Sequence, residues 1–303
     1  MNLTDYLALE RYEYLVLLVD FVIAIVLLTL IGKVSGLVSN VNSVKELSVK
    51  DNHAFGISFG AALLALGLML TGAVSGDETI SLVYEVTIVL SYGVFGILLM
   101  VAARFILDKI SLPQISIHEQ ILKGNAAAAL VDAANMIATA IIIRAVMIWV
   151  DAESFMGLAL VAFGFIASQI LMIIVTRYRT FVYAKRHEGG CIQDAFENGN
   201  IALAIRYFGH KVGAALAVTA ASGLVTYMPL SAITAALLWV AASAIMVIAL
   251  SLIAIAARHV VLSGINVVEE VDDQGNIGIG LIEAIIYIVI GLLLVALFAV
   301  SAY

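Results

Sequence analysis

The sequence predicts an all-α integral membrane protein with eight transmembrane helices, built as four parallel two-helix repeats that form two pseudo-two-fold-related four-helix halves. Three observations carry this reading. Of 303 residues, 63% are hydrophobic and 12% charged, against about 25% charged in a soluble domain, so lipid must act as part of the solvent. Eight apolar runs reach or approach the roughly 20 residues that cross a bilayer core. A short polar segment also recurs four times, ahead of every second run.

The runs are Tyr14 to Ile31, Ala54 to Val74, Leu82 to Ala103 and Ala126 to Val150, then Phe155 to Thr176, Ile201 to Leu224, Leu230 to Ala257 and Ile277 to Ala302. The first follows Asp5, Glu10, Arg11 and Glu13 rather than a basic stretch, so it reads as a span and not as a cleavable signal. The only prolines are Pro113 and Pro229, which leaves most runs free to be unbroken helices. The links after spans 1, 3, 5 and 7 are long and polar. They hold Lys33, Lys45, Lys50, Arg104, Lys109, Lys123, Arg177, Arg179, Lys185, Arg186 and Arg258. The opposite side holds Arg11 with Asp5, Glu10, Glu13, Asp77, Glu78, Asp151 and Glu153. Positive charge marks cytoplasmic links, so the long links are expected inside and both termini on the outer side.

The repeat lies in the segments that open the even spans: Lys50-Asp51-Asn52, Lys123-Gly124-Asn125, Asn198-Gly199-Asn200 and Gln274-Gly275-Asn276. Successive Asn residues are 73, 75 and 76 positions apart, and an acid stands six residues before each: Glu46, Glu119, Asp194 and Glu270. A constant period with a matched acid indicates duplication. Asn is a preferred N-cap, and the preceding glycine permits a sharp turn. The four Asn therefore read as helix caps, or as four helix N-termini facing one vestibule that attracts anions. Each unit contains two spans, so all units point the same way, unlike the inverted repeats of many carriers. The division near Asp151 gives halves at 1–152 and 153–303.

Each half resembles the YjfL-like bacterial inner-membrane family, domain of unknown function 350. The resemblance rests on Glu119 to Asn125 with the run Ala126 to Ala129, echoed by Asp194 to Ala202 and Glu270 to Gly278. A usual member is one four-span unit, so this chain is similar to two fused copies. The resemblance implies a bacterial inner (plasma) membrane location and no defined chemistry.

Ionisable residues at membrane depth are costly and are candidates for function. Asp132 and Glu283 each lie seven residues beyond their Asn, about 10 Å inside the cap at 1.5 Å per residue. Arg206 lies about 9 Å in and Lys211 about 16 Å in on the same scale. His210 shares the Arg206 face. Asp132 and Glu283 have the right depth to pair with Arg206. Asp20 is nearer the depth of Lys211, and Asn135, one turn beyond Asp132, is placed to bond the same site. Two readings stay open: a static ion network that fixes packing, or a polar route for protons or small ions between the halves, with His210 titrating. The first function is that of a channel or ion-coupled carrier. The alternative is a membrane scaffold or stress-response component that recruits a cytoplasmic partner through Glu46, Glu119, Asp194 and Glu270. Gly56 with Gly60, and Gly209 with Gly213, have the spacing of close helix contacts, within the chain or in a homodimer.

Several classes are excluded. No basic stripe suits nucleic acid. No phosphate-binding loop or HExxH zinc motif occurs, and Ser58, Ser91, Ser168 and Ser243 lack a nucleophile context. An enzyme, a metal site and a bound cofactor are therefore not expected. Cys191 is the lone cysteine, so no intrachain disulfide forms.

Overall fold

The computed structural model describes residues 11–38, 41–74, 81–150 and 155–298. It is helical, with no strand among the described residues. Long helices are α1 (Arg11–Val38), α3 (His53–Ala73), α4 (Leu82–Ile106), α6 (Ala126–Trp149), α7 (Phe155–Arg186), α9 (Ile201–Ser222), α10 (Ala232–Val261) and α11 (Ile277–Phe298). Short helices α2 (Ser43–Ser48), α5 (Ile117–Leu122) and α8 (Ile192–Glu197) precede the first three even spans, and a π-helical turn, Glu269–Asp273, takes that place before α11. All eight long helices carry segments long and apolar enough to cross a membrane.

The even spans form a row in the order α3, α6, α9, α11, each packed on the next. The odd spans α1, α4, α7 and α10 make a second, looser layer against it. The row continues from α6 to α9, so the boundary between the halves is one more step of the same contact. α3 and α11 end the row without packing on each other. Small residues explain the close approach, because helices in lipid associate through van der Waals contact rather than water exclusion. A Cβ on Gly280 would stand 2.6 Å from the Ala202 carbonyl oxygen, and one on Gly213 would stand 2.7 Å from that of Tyr287. The pair Gly209 and Gly213 is thus consumed inside the chain. Gly60 and Gly67 of α3 face open space.

The four Asn residues cap their helices. Their Oδ1 atoms accept from Phe55 (3.0 Å), Ala128 (3.1 Å), Leu203 (2.9 Å) and Ile279 (3.2 Å) backbone N–H groups. The residue before each Asn has positive φ: Asp51 at 49°, Gly124 at 85°, Gly199 at 80° and Gly275 at 67°. Asp tolerates this region better than most non-glycine residues, which explains the one unit without glycine.

Three of the four Asn residues also use their amides to reach forward. Asn52 Nδ2 donates to the carbonyls of Ile121 (3.1 Å) and Leu122 (3.4 Å). Asn125 reaches Phe196 and Glu197, both at 2.9 Å. Asn200 reaches Val271 (3.3 Å) and Asp272 (3.1 Å). Each of the first three units thereby fills the open carbonyls at the end of the next unit's short helical element, which a helix end must satisfy somewhere. Asn276, in the fourth unit, instead donates to its own Glu270 at 2.8 Å.

Four helices carry charge beyond their apolar runs: α1 reaches past Lys33 and α10 past Arg258. α4 continues through Arg104, and α7 continues through Arg177, Arg179, Lys185 and Arg186, residues that hydropathy assigns to links. Asp5, Glu10, Asp77, Glu78, Asp151 and Glu153 lie outside the described residues, as do the side chains of Arg11 and Glu13.

Candidate functional site

The buried charges do not form one site between the halves. They form two clusters, one inside each half. In the first, Arg104 at the end of α4 grips Asp132 of α6 with both arms of its guanidinium: Nε to Oδ1 at 3.2 Å and Nη2 to Oδ2 at 2.8 Å. Ser58 of α3 completes it, donating to Asp132 Oδ2 at 2.6 Å and accepting from Arg104 Nη2 at 2.9 Å. A forked Arg–carboxylate pair is the strong form of such a contact. A cavity of 260 Å³ opens beside it, lined by Ser58, Arg104, Asp108, Lys109, His118 and Asp132 among others.

In the second cluster, Glu283 of α11 is 1% exposed. It accepts from Arg258 Nη1 of α10 at 3.1 Å, and stands 3.8 Å from Arg206 Nη1 and 3.7 Å from His210 Nε2 on α9. Arg206 also binds Asp272, which belongs to the π-helical turn and has His187 Nε2 3.6 Å from its other oxygen. Burial raises the Asp272 carboxyl above its usual range, against the pull of Arg206 and His187. His210 meets the Tyr287 ring edge-on at 4.0 Å. Arg179 of α7 donates to the Tyr287 hydroxyl at 3.1 Å. The clusters occupy matched repeat positions. Ser58 and Arg206 each lie six residues past their Asn, and Asp132 and Glu283 each lie seven past theirs.

The second cluster is the less settled. Seven buried side-chain polar atoms among the described residues lack a hydrogen bond, and four of them are here: Arg179 Nε, His210 Nε2, Asp272 Oδ2 and Glu283 Oε2. A tight cavity of 30 Å³ is lined by Arg179, Arg186, Arg206, His210, Arg258 and Glu283 with their neighbours. Four arginines thus face two carboxylates, so the site carries excess positive charge. Such a site suits a small anion, or a proton exchanged between His210 and Glu283. Among the described residues no group of three His, Cys, Asp or Glu could hold a metal ion.

Several sequence expectations are corrected. Arg206 does not pair with Asp132, because α9 turns it toward α11 while Asp132 faces α3 and α4. Lys211 does not meet Asp20. It is 1% exposed, donates to Thr176 Oγ1 at 3.3 Å and lies 5.9 Å from the Tyr207 ring centre, whereas Asp20 sits on α1 at the other edge of the protein. Asn135 donates to the Ala103 carbonyl at 3.1 Å rather than to the Asp132 site. Glu46 is 2% exposed and occupied by Lys50 (2.6 Å) and Asn52 (3.3 Å), and Glu270 is held by Asn276. Only Glu119 and Asp194 of the four acids are exposed. The hydrogen bond from Lys50 holds the Glu46 carboxyl below its usual range.

Arg104, Arg258, Arg179 and Asp272 are the residues that hydropathy missed. A signal existed: Arg104 and Arg179 each precede their unit's Asn by 21 residues, and Arg258 precedes Asn276 by 18.

The family described as Domain of Unknown Function (DUF350) matches residues 8–147 and again 152–298. No curated protein and no solved structure matches the chain.

Proposed function

The chain belongs to the DUF350 family as two tandem copies, and from that premise we propose that it is a non-enzymatic membrane transport protein, a channel or ion-coupled carrier for protons or small ions. The ion site is the second-half cluster. The observation that supports this is the convergence of three buried polar atoms without a hydrogen bond, Arg179 Nε, His210 Nε2 and Glu283 Oε2, on one basic pocket, since such atoms in a native core call for an explanation. Arg206 and Arg258 attract the ion. Glu283 and His210 exchange a proton, and entry is from the capped, cytoplasmic end. The Ser58–Arg104–Asp132 cluster is the fully bonded counterpart that fixes packing.

Flux from purified protein in liposomes tests this, with a trapped pH dye for protons and nitrate or chloride gradients for anions. Glu283→Gln should lower the flux at least about tenfold, the effect of removing about 1.4 kcal/mol or more of site stabilisation. Asp132→Asn should leave it within about twofold in protein that still folds. An unchanged flux in correctly folded Glu283→Gln protein removes the site from the proposal.

A second reading has its own support. Beyond Lys211, α9 carries no charged residue as far as Ser222, so the charged groups of that helix stop short of its far end. This favours a scaffold that recruits a cytoplasmic protein, with the exposed Glu119 and Asp194 as contacts. In that case Glu119→Lys with Asp194→Lys abolishes partner capture from membranes, and Glu283→Gln does not.

A further inference from the structure

The row of even spans uses one contact three times and leaves both of its ends open. In the α9–α11 step, Ala202, Gly209, Gly213 and Leu216 meet Gly280, Ala284, Tyr287 and Gly291. Counted from the capping Asn, the giving face lies at positions 2, 9, 13 and 16 and the receiving face at 4, 8, 11 and 15. Applied to the ends, the same positions select Gly278, Ile285, Val289 and Leu292 on α11, all exposed. On α3 they select Gly56, Gly60, Leu63 and Gly67. Three of those four are glycines, as small at positions 4, 8 and 15 as the receiving face of α11. Gly60 and Gly67 have no atom within 4 Å of an added Cβ. Leu63 and Gly67 also line an open apolar groove of 880 Å³ between α1 and α3.

The capping chemistry is open at the same two ends. Asn276 lacks the forward carbonyls that the other three Asn residues reach. The matching carbonyls in the first unit, those of Ser48 and Val49, receive no bond from a described asparagine. Asn52 bonds its own Glu46 and the next unit's carbonyls together, so the Glu270 bond of Asn276 does not compete with a forward one. One cation in the first unit is free to meet an acidic stretch in the last. Among the described residues, Lys45 is the exposed, unpaired cation beside Ser48 and Val49, since Lys50 is paired with Glu46 and followed by Asp51, whereas Glu269, Glu270 and Asp273 flank Asn276.

We propose that the chain associates head to tail with further copies of itself, α11 of one copy seated against α3 of the next and Asn276 reaching the Ser48 and Val49 carbonyls, as a continuation of the internal row. The contact is heterologous, with different surfaces on the two copies, so it propagates into a ring or a filament rather than a two-fold dimer.

Site-specific cross-linking in native membranes tests it. The background is Cys191→Ser, and two differently tagged chains carry Gly60→Cys or Ile285→Cys, positions that stand opposite in the repeated contact. Co-expression should give a mixed disulfide-linked pair, a chain with both substitutions should give a ladder, and each single variant alone should give no pair. Absence of the mixed pair, as expected if these faces meet only lipid, overturns the proposal. So does self-pairing of Gly60→Cys, which would mean a two-fold dimer. Gly60→Trp supplies a second measurement, since the space there is open and the chain should keep its melting temperature. It should shift the protein in lipid nanodiscs from multiple copies to one, and multiple copies persisting would refute the assignment.

Discussion

The two halves carry the same cluster in two conditions. In the first half, one hydroxyl, one guanidinium and one carboxylate satisfy each other at Ser58, Arg104 and Asp132. In the second half an arginine, Arg206, stands where the first has Ser58. With Arg179 and Arg186 nearby, that difference adds charge the site cannot neutralise with Glu283 alone. Asp272 is the response, supplied from the π-helical turn that stands directly before the last unit's cap. Duplication thus leaves one copy fully bonded and the other with excess charge and buried atoms that lack a hydrogen bond.

The largest expected effect comes from making the second half resemble the first. Arg206→Ser leaves Asp272 buried without its guanidinium, and breaking a buried pair from one side costs about 3–5 kcal/mol. Thermal unfolding in nanodiscs should show a large fall in Tm, with much of it recovered by adding Asp272→Ser. If the double variant is no better than the single, Asp272 is not the partner that matters. Asp132→Asn should cost less, about 1–3 kcal/mol, because Asn still accepts from Arg104 and Arg104 is partly exposed. Next come the caps. Asn125→Ala removes a cap and two forward bonds and should cost about 1–2 kcal/mol, while Asn276→Ala removes a cap and the exposed bond to Glu270 and should cost about 0.5–1 kcal/mol in the isolated chain. Equal losses would show that the forward bonds contribute nothing.

The smallest effect concerns pH. The Glu46 carboxyl is held below its usual range, so its contribution is present above that range and is lost as pH falls through the lowered value. Hydrogen exchange at the start of α3 should quicken on acidification below about pH 4, and Glu46→Gln should remove that dependence. An unaltered acid response in the variant would assign it elsewhere.

The frame of the molecule was legible because it is periodic. Asn52, Asn125, Asn200 and Asn276 mark helix starts by a chemistry that needs only local sequence, and the apolar runs mark the spans. The ion partners were not legible for two physical reasons. Depth fixes the level of Arg206 but not the direction in which α9 turns it, and the direction chose Glu283 and Asp272 over Asp132. Hydropathy also ends a span at its first charge, so Arg104, Arg179 and Arg258 read as link residues although the helices carry them inward. The acids before the caps misled in the opposite sense. Glu46 looks like a free surface charge in sequence and is enclosed by Lys50 and Asn52 in the structure.

The forward reach of the first three capping asparagines also has a meaning in time. Its acceptors lie 69 to 72 residues later in the chain. At about 5–20 residues per second of synthesis, each hairpin waits several seconds in the bilayer with its amide unanswered until the following one arrives. Biogenesis then runs as a one-way zipper, each newcomer seated by the one before it.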